Sequence, residues 1–227
     1  PYVAAPAPLL DLARNLMKAG RIADSDCWIV PGMNLDSADQ PEVMRGEECQ
    51  MLGALLKQGR SDGMFLTPGT HSKWARVADG KLIEFRTYIT GEMFNLLRQS
   101  GTLAQLMTGD AEDEAAFARG VRATGPDTEL LNRVFSARSL ALFGRLEGSE
   151  LASYLSGLLV ATEMRDALAA WPDLARSGVT SIGSAGMLAR YGACAKLLGL
   201  DLHSIDNKDV LPTALFWIGQ QAGLVHR

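Results

Sequence analysis

Apolar residues recur along this chain at two spacings, and the change from one to the other marks out the elements. In "LLDLARNLMKAG" (9–20), Leu9, Leu12, Leu16 and Met17 fall on one helical face, and Gly20 closes it. "CWIVPG" (27–32) is a short apolar run stopped by Pro-Gly, which predicts a buried strand leading into the loop "MNLDSADQPE". "VMRGEECQMLGALLKQG" (43–59) returns to the helical spacing through Met44, Met51, Leu52, Leu55 and Leu56. That stripe places Glu47 and Glu48 on or beside the inward side of the first turn.

From residue 65 the period becomes two. "FLTPGTHSKWARVADGKLIEF" (65–85) is a strand, a polar loop and a second strand that turns through Asp79-Gly80. Four helical stretches follow, over 91–107, 110–127, 130–146 and 151–171, the second polar enough to predict a solvated helix running into a loop. "VTSIGSAGMLARYGACAKLLG" (179–199) then reads as strand, turn and helix, and 211–224 closes the chain as a helix. Strands that first pair through a hairpin and later alternate with helices predict an α/β fold with a mixed sheet. The best boundary between two units lies at Gly59 to Gly63, giving 1–60 and 61–227. There is no repeat and no low-complexity tract.

Composition narrows the function classes. With 47% hydrophobic residues over 227, the chain can bury a sizeable core. A net charge of −4 and no basic stripe exclude a nucleic-acid binder. No apolar run reaches the roughly 20 residues of a bilayer crossing, so no membrane partner is expected. Cys27, Cys49 and Cys194 are odd in number and lack metal-ligand spacing, which points to buried thiols in a reducing, cytoplasmic setting. "PYVAAPAPLL" opens the chain without Met, and a further portion is expected upstream of it.

Three stretches carry candidate chemistry. In the loop after Leu66, Gly69 permits close approach to the backbone, Thr70 and Ser72 supply hydroxyls, and Lys73 supplies a compact positive charge, together a set suited to phosphate oxygens. It is not a Walker A loop, and a solvated strand connection has the same composition. In "MRGEECQ", a carboxylate at a helix N-terminus suits a general base, although acids in a first turn also merely stabilise helices. "SIGSAG" (181–186) offers a small-residue turn before a helix, able to hold an adenine face or a phosphate against backbone. Arg45, His71 and Thr90 stand at element ends as candidate substrate contacts, Arg45 through its planar fork on a carboxylate.

"DQPEVMRGEECQMLGALL", "LTPGTHSKWARVADGKLIEFRTYITGEMFNLL", "SARSLALFGRL", "ASYLSGLL" and "SIGSAGMLARY" together resemble the 2-dehydro-3-deoxygalactonokinase family, in order and over nearly the whole chain. The resemblance implies two ribonuclease-H-like domains of the actin-like, hexokinase-type ATPase superfamily around a nucleotide cleft, the first domain incomplete here. It implies ATP and Mg²⁺, a sugar-acid substrate and phosphorylation of its terminal hydroxyl. Gly69, Thr70, Ser72 and Lys73 then face phosphates, and Gly183 and Ser184 face adenosine. Glu47 or Glu48 is the base, the resemblance not choosing between them. The family's first phosphate turn, with its metal-associated Asp, has no counterpart here, which leaves the metal ligands unassigned. A homo-oligomer is compatible with this reading. Two other classes stay open: a non-catalytic sugar or nucleotide sensor on the same fold, and a hydrolase using His71 and Ser72. The hydrolase is disfavoured because neighbouring strand residues point to opposite faces.

Overall fold

The computed structural model describes residues 1–109, 111–126 and 129–225, apart from the side chains of 175 and 176. The chain begins with β1 (Tyr2–Ala4), β2 (Ala7–Pro8), α1 (Asp11–Arg14), β3 (Met17–Ile22), β4 (Ser25–Ile29), β5 (Gly32–Leu35) and β6 (Glu42–Met44). Then come α2 (Glu47–Gln58), β7 (Gly63–Thr67), β8 (Ser72–Ala78) and β9 (Lys81–Tyr88). A helical stretch follows: α3 (Thr90–Gln99), α4 (Gly101–Ala104), α5 (Glu114–Arg122), α6 (Leu130–Leu142), α7 (Leu151–Ala170) and α8 (Leu174–Ser177). It ends with β10 (Val179–Gly183), α9 (Ala185–Leu198), β11 (Leu202–Asp206) and α10 (Asn207–Gln221).

The main sheet has six strands in the order β11-β10-β7-β8-β9-β2. β7, β8 and β9 form an antiparallel meander, turned by Asp79 and Gly80 at φ 50° and 69°, the left-handed pair that a two-residue hairpin needs. β10 lies parallel to β7, and β11 parallel to β10. Alternation along the meander sends Phe65, Ala75, Val77 and Phe85 to one face, beneath α2 and α10. Met64, Leu66 and Trp74 go to the other, beneath α7 and α9. β2 pairs with β9 and α2 lies against α10, so residues before and after Gly59 share one hydrophobic core. A three-stranded sheet, β1-β5-β6, and a two-stranded one, β3-β4, complete the strands among the described residues.

Helix α7 is the hub of the second face. It is buried nearly all round, which removes any one-sided stripe from its sequence. A β-carbon on Gly120 would lie 2.0 Å from the Tyr154 carbonyl oxygen, and one on Gly157 would lie 2.1 Å from that of Phe117. These two glycines let α5 and α7 cross at backbone contact. The solvated helix expected over 110–127 is thus corrected: α5 is shorter and buries Ala116 and Val121 against α7, while Asp110 and Asp127 lie outside the described residues.

Three further expectations change. The helix over 9–20 shrinks to α1, and 17–29 instead fold back as the β3–β4 hairpin, with Lys18 and Arg21 meeting Asp26 at 2.6 and 3.6 Å across it. Helical spacing of Leu16 and Met17 could not reveal those cross-strand ion pairs. The strand at 27–32 lies on this hairpin with Trp28 and Ile29 exposed, not in a core. The helix expected from 43 starts at Glu47, because Val43 and Met44 pair with β5 and Gly46 breaks away at φ 112°.

Candidate active site

β7 and β10 run parallel and adjacent, so their C-terminal ends open at the same edge, where ligands of open α/β sheets collect. A cleft of about 1330 Å³ lies there. Several helices begin on its wall, among them α2 at Glu47, α3 at Thr90 and Gly91, α5 at Asp113 and Glu114, α9 at Ser184 and α10 at Asn207. Each helix start carries partial positive charge and outward N–H groups, and their convergence suits a polyanion. Ser184 leaves the first turn of α9 without a side-chain cap.

The loop Pro68–His71 and the Gly183-Ser184 turn touch across the cleft. A β-carbon on Gly183 would meet the Pro68 ring at 3.3 Å. α3 holds the loop from the other side: Glu92 N–H donates to the Thr70 carbonyl (3.0 Å), and a β-carbon on Gly91 would lie 2.3 Å from the Gly69 carbonyl oxygen. Gly69 itself is open above its Cα, with nothing nearer than 4.0 Å to the place of a β-carbon. The loop is therefore fixed by its neighbours yet bare toward the cleft.

Each predicted residue has a definite place. Gly69, Thr70, His71, Thr90, Gly183, Ser184, Arg45 and Glu47 all line the cleft. Glu47 Oε2 accepts from the Arg45 N–H at 3.0 Å, and Oε1 lies 3.5 Å from Lys73 Nζ. Lys73 keeps only 5% of its side chain exposed and also donates to the His71 carbonyl at 3.2 Å, so its ammonium is turned to Glu47 and the loop, not to the open cleft. Glu48 is buried and reaches back to accept from the Gly46 N–H at 2.8 Å. Burial raises its pKa above the usual carboxylate value, against the pull of the backbone N–H groups. Arg45 stacks over Tyr2 at 4.7 Å and donates to the Pro1 carbonyl at 3.1 Å. His71 pairs with Glu92.

Ser72 departs most from expectation. Strand alternation turns it away from Lys73 and into the opposite core, where its hydroxyl meets that of Tyr191 at 2.9 Å. Tyr191 donates to Glu163 Oε2 at 2.8 Å, and Trp74 Nε1–H donates to Glu163 Oε1 at 2.8 Å. The Thr90 hydroxyl stands beside this carboxylate, and Ser72 reaches it through Tyr191. Burial raises the pKa of Glu163, and the hydrogen bonds to it oppose that rise. Sequence reasoning missed Glu163, Tyr191 and the α3 face of Phe94, Asn95 and Arg98. Glu163 did leave a signal, as the first charged residue of α7 after an otherwise uncharged run from Leu151.

A family model described as 2-keto-3-deoxy-galactonokinase matches residues 1–218. This chain belongs to that family. A candidate 2-dehydro-3-deoxygalactonokinase, DgoK1, of Rhizobium meliloti (strain 1021) is 32% identical over 94% of this chain and 70% of its own length. The 2-dehydro-3-deoxygalactonokinase of Escherichia coli (strain K12) is 28% identical over 90% of this chain and 68% of its own. A crystal structure of a candidate 2-dehydro-3-deoxygalactonokinase protein from Sinorhizobium meliloti superimposes with a TM-score of 0.89 at 30% identity, covering 96% of this chain and 73% of that one. As a member of the 2-keto-3-deoxy-galactonokinase family the chain is a sugar-acid kinase, and the helix starts around its cleft suit the phosphates such an enzyme handles. Among the described residues no helix is long and apolar enough to cross a membrane.

Proposed function

We propose that this kinase transfers the γ-phosphoryl group of ATP to the terminal, 6-hydroxyl of 2-dehydro-3-deoxy-D-galactonate, a step of galactonate breakdown. The observation that carries the reading is the meeting of Glu47, the Gly69-Thr70 loop and the Gly183-Ser184 turn in one cleft. Phosphoryl transfer needs in-line positioning, donors on the phosphate oxygens and a base at the attacking hydroxyl. Backbone N–H groups of Gly69, Thr70 and the start of α9 serve the phosphates, and Gly183 and Ser184 border adenosine.

Glu47 takes the hydroxyl proton as the new P–O bond forms and the bond to the ADP oxygen breaks. It is the first-turn carboxylate that reaches the cleft, whereas Glu48 is spent on the Gly46 N–H. Lys73 orients Glu47 from behind and does not itself grip phosphate. Arg45 and His71 remain candidates for the sugar acid. Among the described residues no cluster of three or more His, Cys, Asp or Glu could cage a metal. A lone carboxylate beside a phosphate site still fits Mg²⁺, which takes one or two carboxylates together with substrate phosphates. When bound, Mg²⁺ would neutralise phosphate charge next to Glu47. We read 61–227, which opens on the β7–β8 hairpin and supplies five of the six strands of the main sheet, as one ribonuclease-H-like domain, and 1–60, which adds the edge strand β2, as the remainder of a partner domain on the same cleft. The free thiols of Cys27, Cys49 and Cys194 fit a cytoplasmic setting.

A coupled ADP-release assay with Mg-ATP and a set of 2-keto-3-deoxy sugar acids tests this. 2-Dehydro-3-deoxygalactonate should give the highest kcat/KM, and no release above background with it would overturn the assignment. Glu47→Gln should lower kcat about 10²–10⁴-fold with both KM values nearly kept. Glu48→Gln should do much less, and the reverse ranking would move the base to Glu48.

A further inference from the structure

Glu163 lies outside the proposed chemistry, 2% exposed, on the face of the sheet away from Glu47. Its neighbours come from three different elements. Thr90 is the first residue of α3, Ser72 and Trp74 open β8, and Tyr191 lies on α9. Each carboxylate oxygen has a donor, the Trp74 indole on Oε1 and the Tyr191 hydroxyl on Oε2. The Tyr191 proton is spent on Oε2, which makes Ser72 the donor in its contact with Tyr191, so Ser72 reaches the carboxylate through that ring. The proton directions in the cluster thus run toward Glu163.

These neighbours sit immediately behind the surfaces that face nucleotide. Ser72 follows the Pro68–His71 loop directly. Thr90 precedes Gly91, which abuts Gly69 and Thr70 at backbone contact. Tyr191 itself lines the cleft, on the helix that starts after the Gly183-Ser184 turn. The loop, the helix that clamps it and the opposing turn are all tied to the same carboxylate. We propose that Glu163 is the positioning residue of the nucleotide side of the cleft, holding the Gly69-Thr70 loop and the Gly183-Ser184 turn at the separation that ATP phosphates require. It touches no reacting atom and acts through Thr90, Ser72 and Tyr191.

The proposal rests on the kinase reading, and the test separates the two. ATP affinity is measured by calorimetry on the wild-type chain and on Glu163→Gln, beside turnover with 2-dehydro-3-deoxygalactonate. Wild-type ATP binding without turnover would sink the kinase reading alone. Glutamine keeps the shape but puts an NH₂ where a donor points. Glu163→Gln should weaken ATP binding about 10–100-fold and raise KM for ATP equally, with KM for the sugar acid within about twofold of wild type. Tyr191→Phe, which folds around the same ring, should show the same split at about 3–10-fold. A merely structural role predicts that both KM values and the thermal midpoint worsen together in both variants, and that outcome overturns the proposal. So does ATP affinity within twofold of wild type in both, or a wild-type chain that binds no ATP.

Discussion

The two faces of the meander meet the cleft with the same chemical type, a glutamate from a helix, and use it in opposite ways. On one face Lys73 lies 3.5 Å from Glu47, whose side chain keeps 22% of its surface open and lines the cleft. On the other, Trp74 meets Glu163 and Ser72 meets Tyr191, and Glu163 is sealed with a donor on each oxygen. One residue step along β8 separates the two environments, because successive side chains point to opposite faces. The carboxylate left partly unsatisfied can still take a proton from a substrate. The sealed one, with a donor on each oxygen, can only hold its neighbours still. Position in the strand, more than residue type, decides which glutamate is available for chemistry.

Breaking the open face should hurt turnover most. Lys73→Met removes the charge that orients Glu47 and the donor on the His71 carbonyl, two contacts worth roughly 1.5–3 kcal/mol where a charge is involved. We expect kcat to fall about 10–100-fold, read by ADP release. A turnover rate within error of wild type would mean that the pair contributes nothing to Glu47.

Breaking the sealed face should show first in stability. Trp74→Phe leaves Glu163 Oε1 without the indole N–H in a site closed to water, at a cost of about 1–3 kcal/mol. For a chain of this size that lowers the thermal midpoint by about 3–10 °C, measurable by calorimetry. KM for ATP should rise less than in Glu163→Gln, because Thr90, Ser72 and Tyr191 keep their acceptor. An unchanged midpoint would show that the indole N–H is not needed there, and the contrast between the faces would lose half its basis.

The difference between the faces also marks how far the sequence could be read. "PGTHSKWARVADGKLIEF" shows its strands, its Asp-Gly turn and its polar loop locally, so the hairpin and the loop facing the cleft were legible. The α/β class followed from the later alternation of strands and helices. Ser72 and Lys73 looked alike as polar neighbours, and only the sheet decides that one turns to α7 and α9 and the other to α2. Glu163 stands 89 residues from Trp74 and 28 from Tyr191, and contacts at that separation leave no local period. The β3–β4 hairpin was misread for a related reason. It is built from cross-strand partners such as Met17 and Ile29, which the helical spacing of Leu16 and Met17 obscured.

The smallest expected effect concerns Glu48, neighbour of Glu47 yet sealed like Glu163. Burial raises its folded pKa above the ordinary value of 4.5, so the folded chain binds more protons than the unfolded chain between 4.5 and the folded value. Stability must then fall as pH rises through that window, and become level above the folded value, at a slope of at most about 1.4 kcal/mol per pH unit from this one group. Glu48→Gln still accepts from the Gly46 N–H through its amide oxygen and cannot ionise. Subtracting the variant's unfolding free energy, measured by urea titration at several pH values from 4.5 upward, from that of the wild type isolates the term. The difference should grow more unfavourable to the wild type with rising pH, then flatten. A difference that instead favours the wild type as pH rises would mean that the Gly46 N–H and the helix start outweigh burial at Glu48.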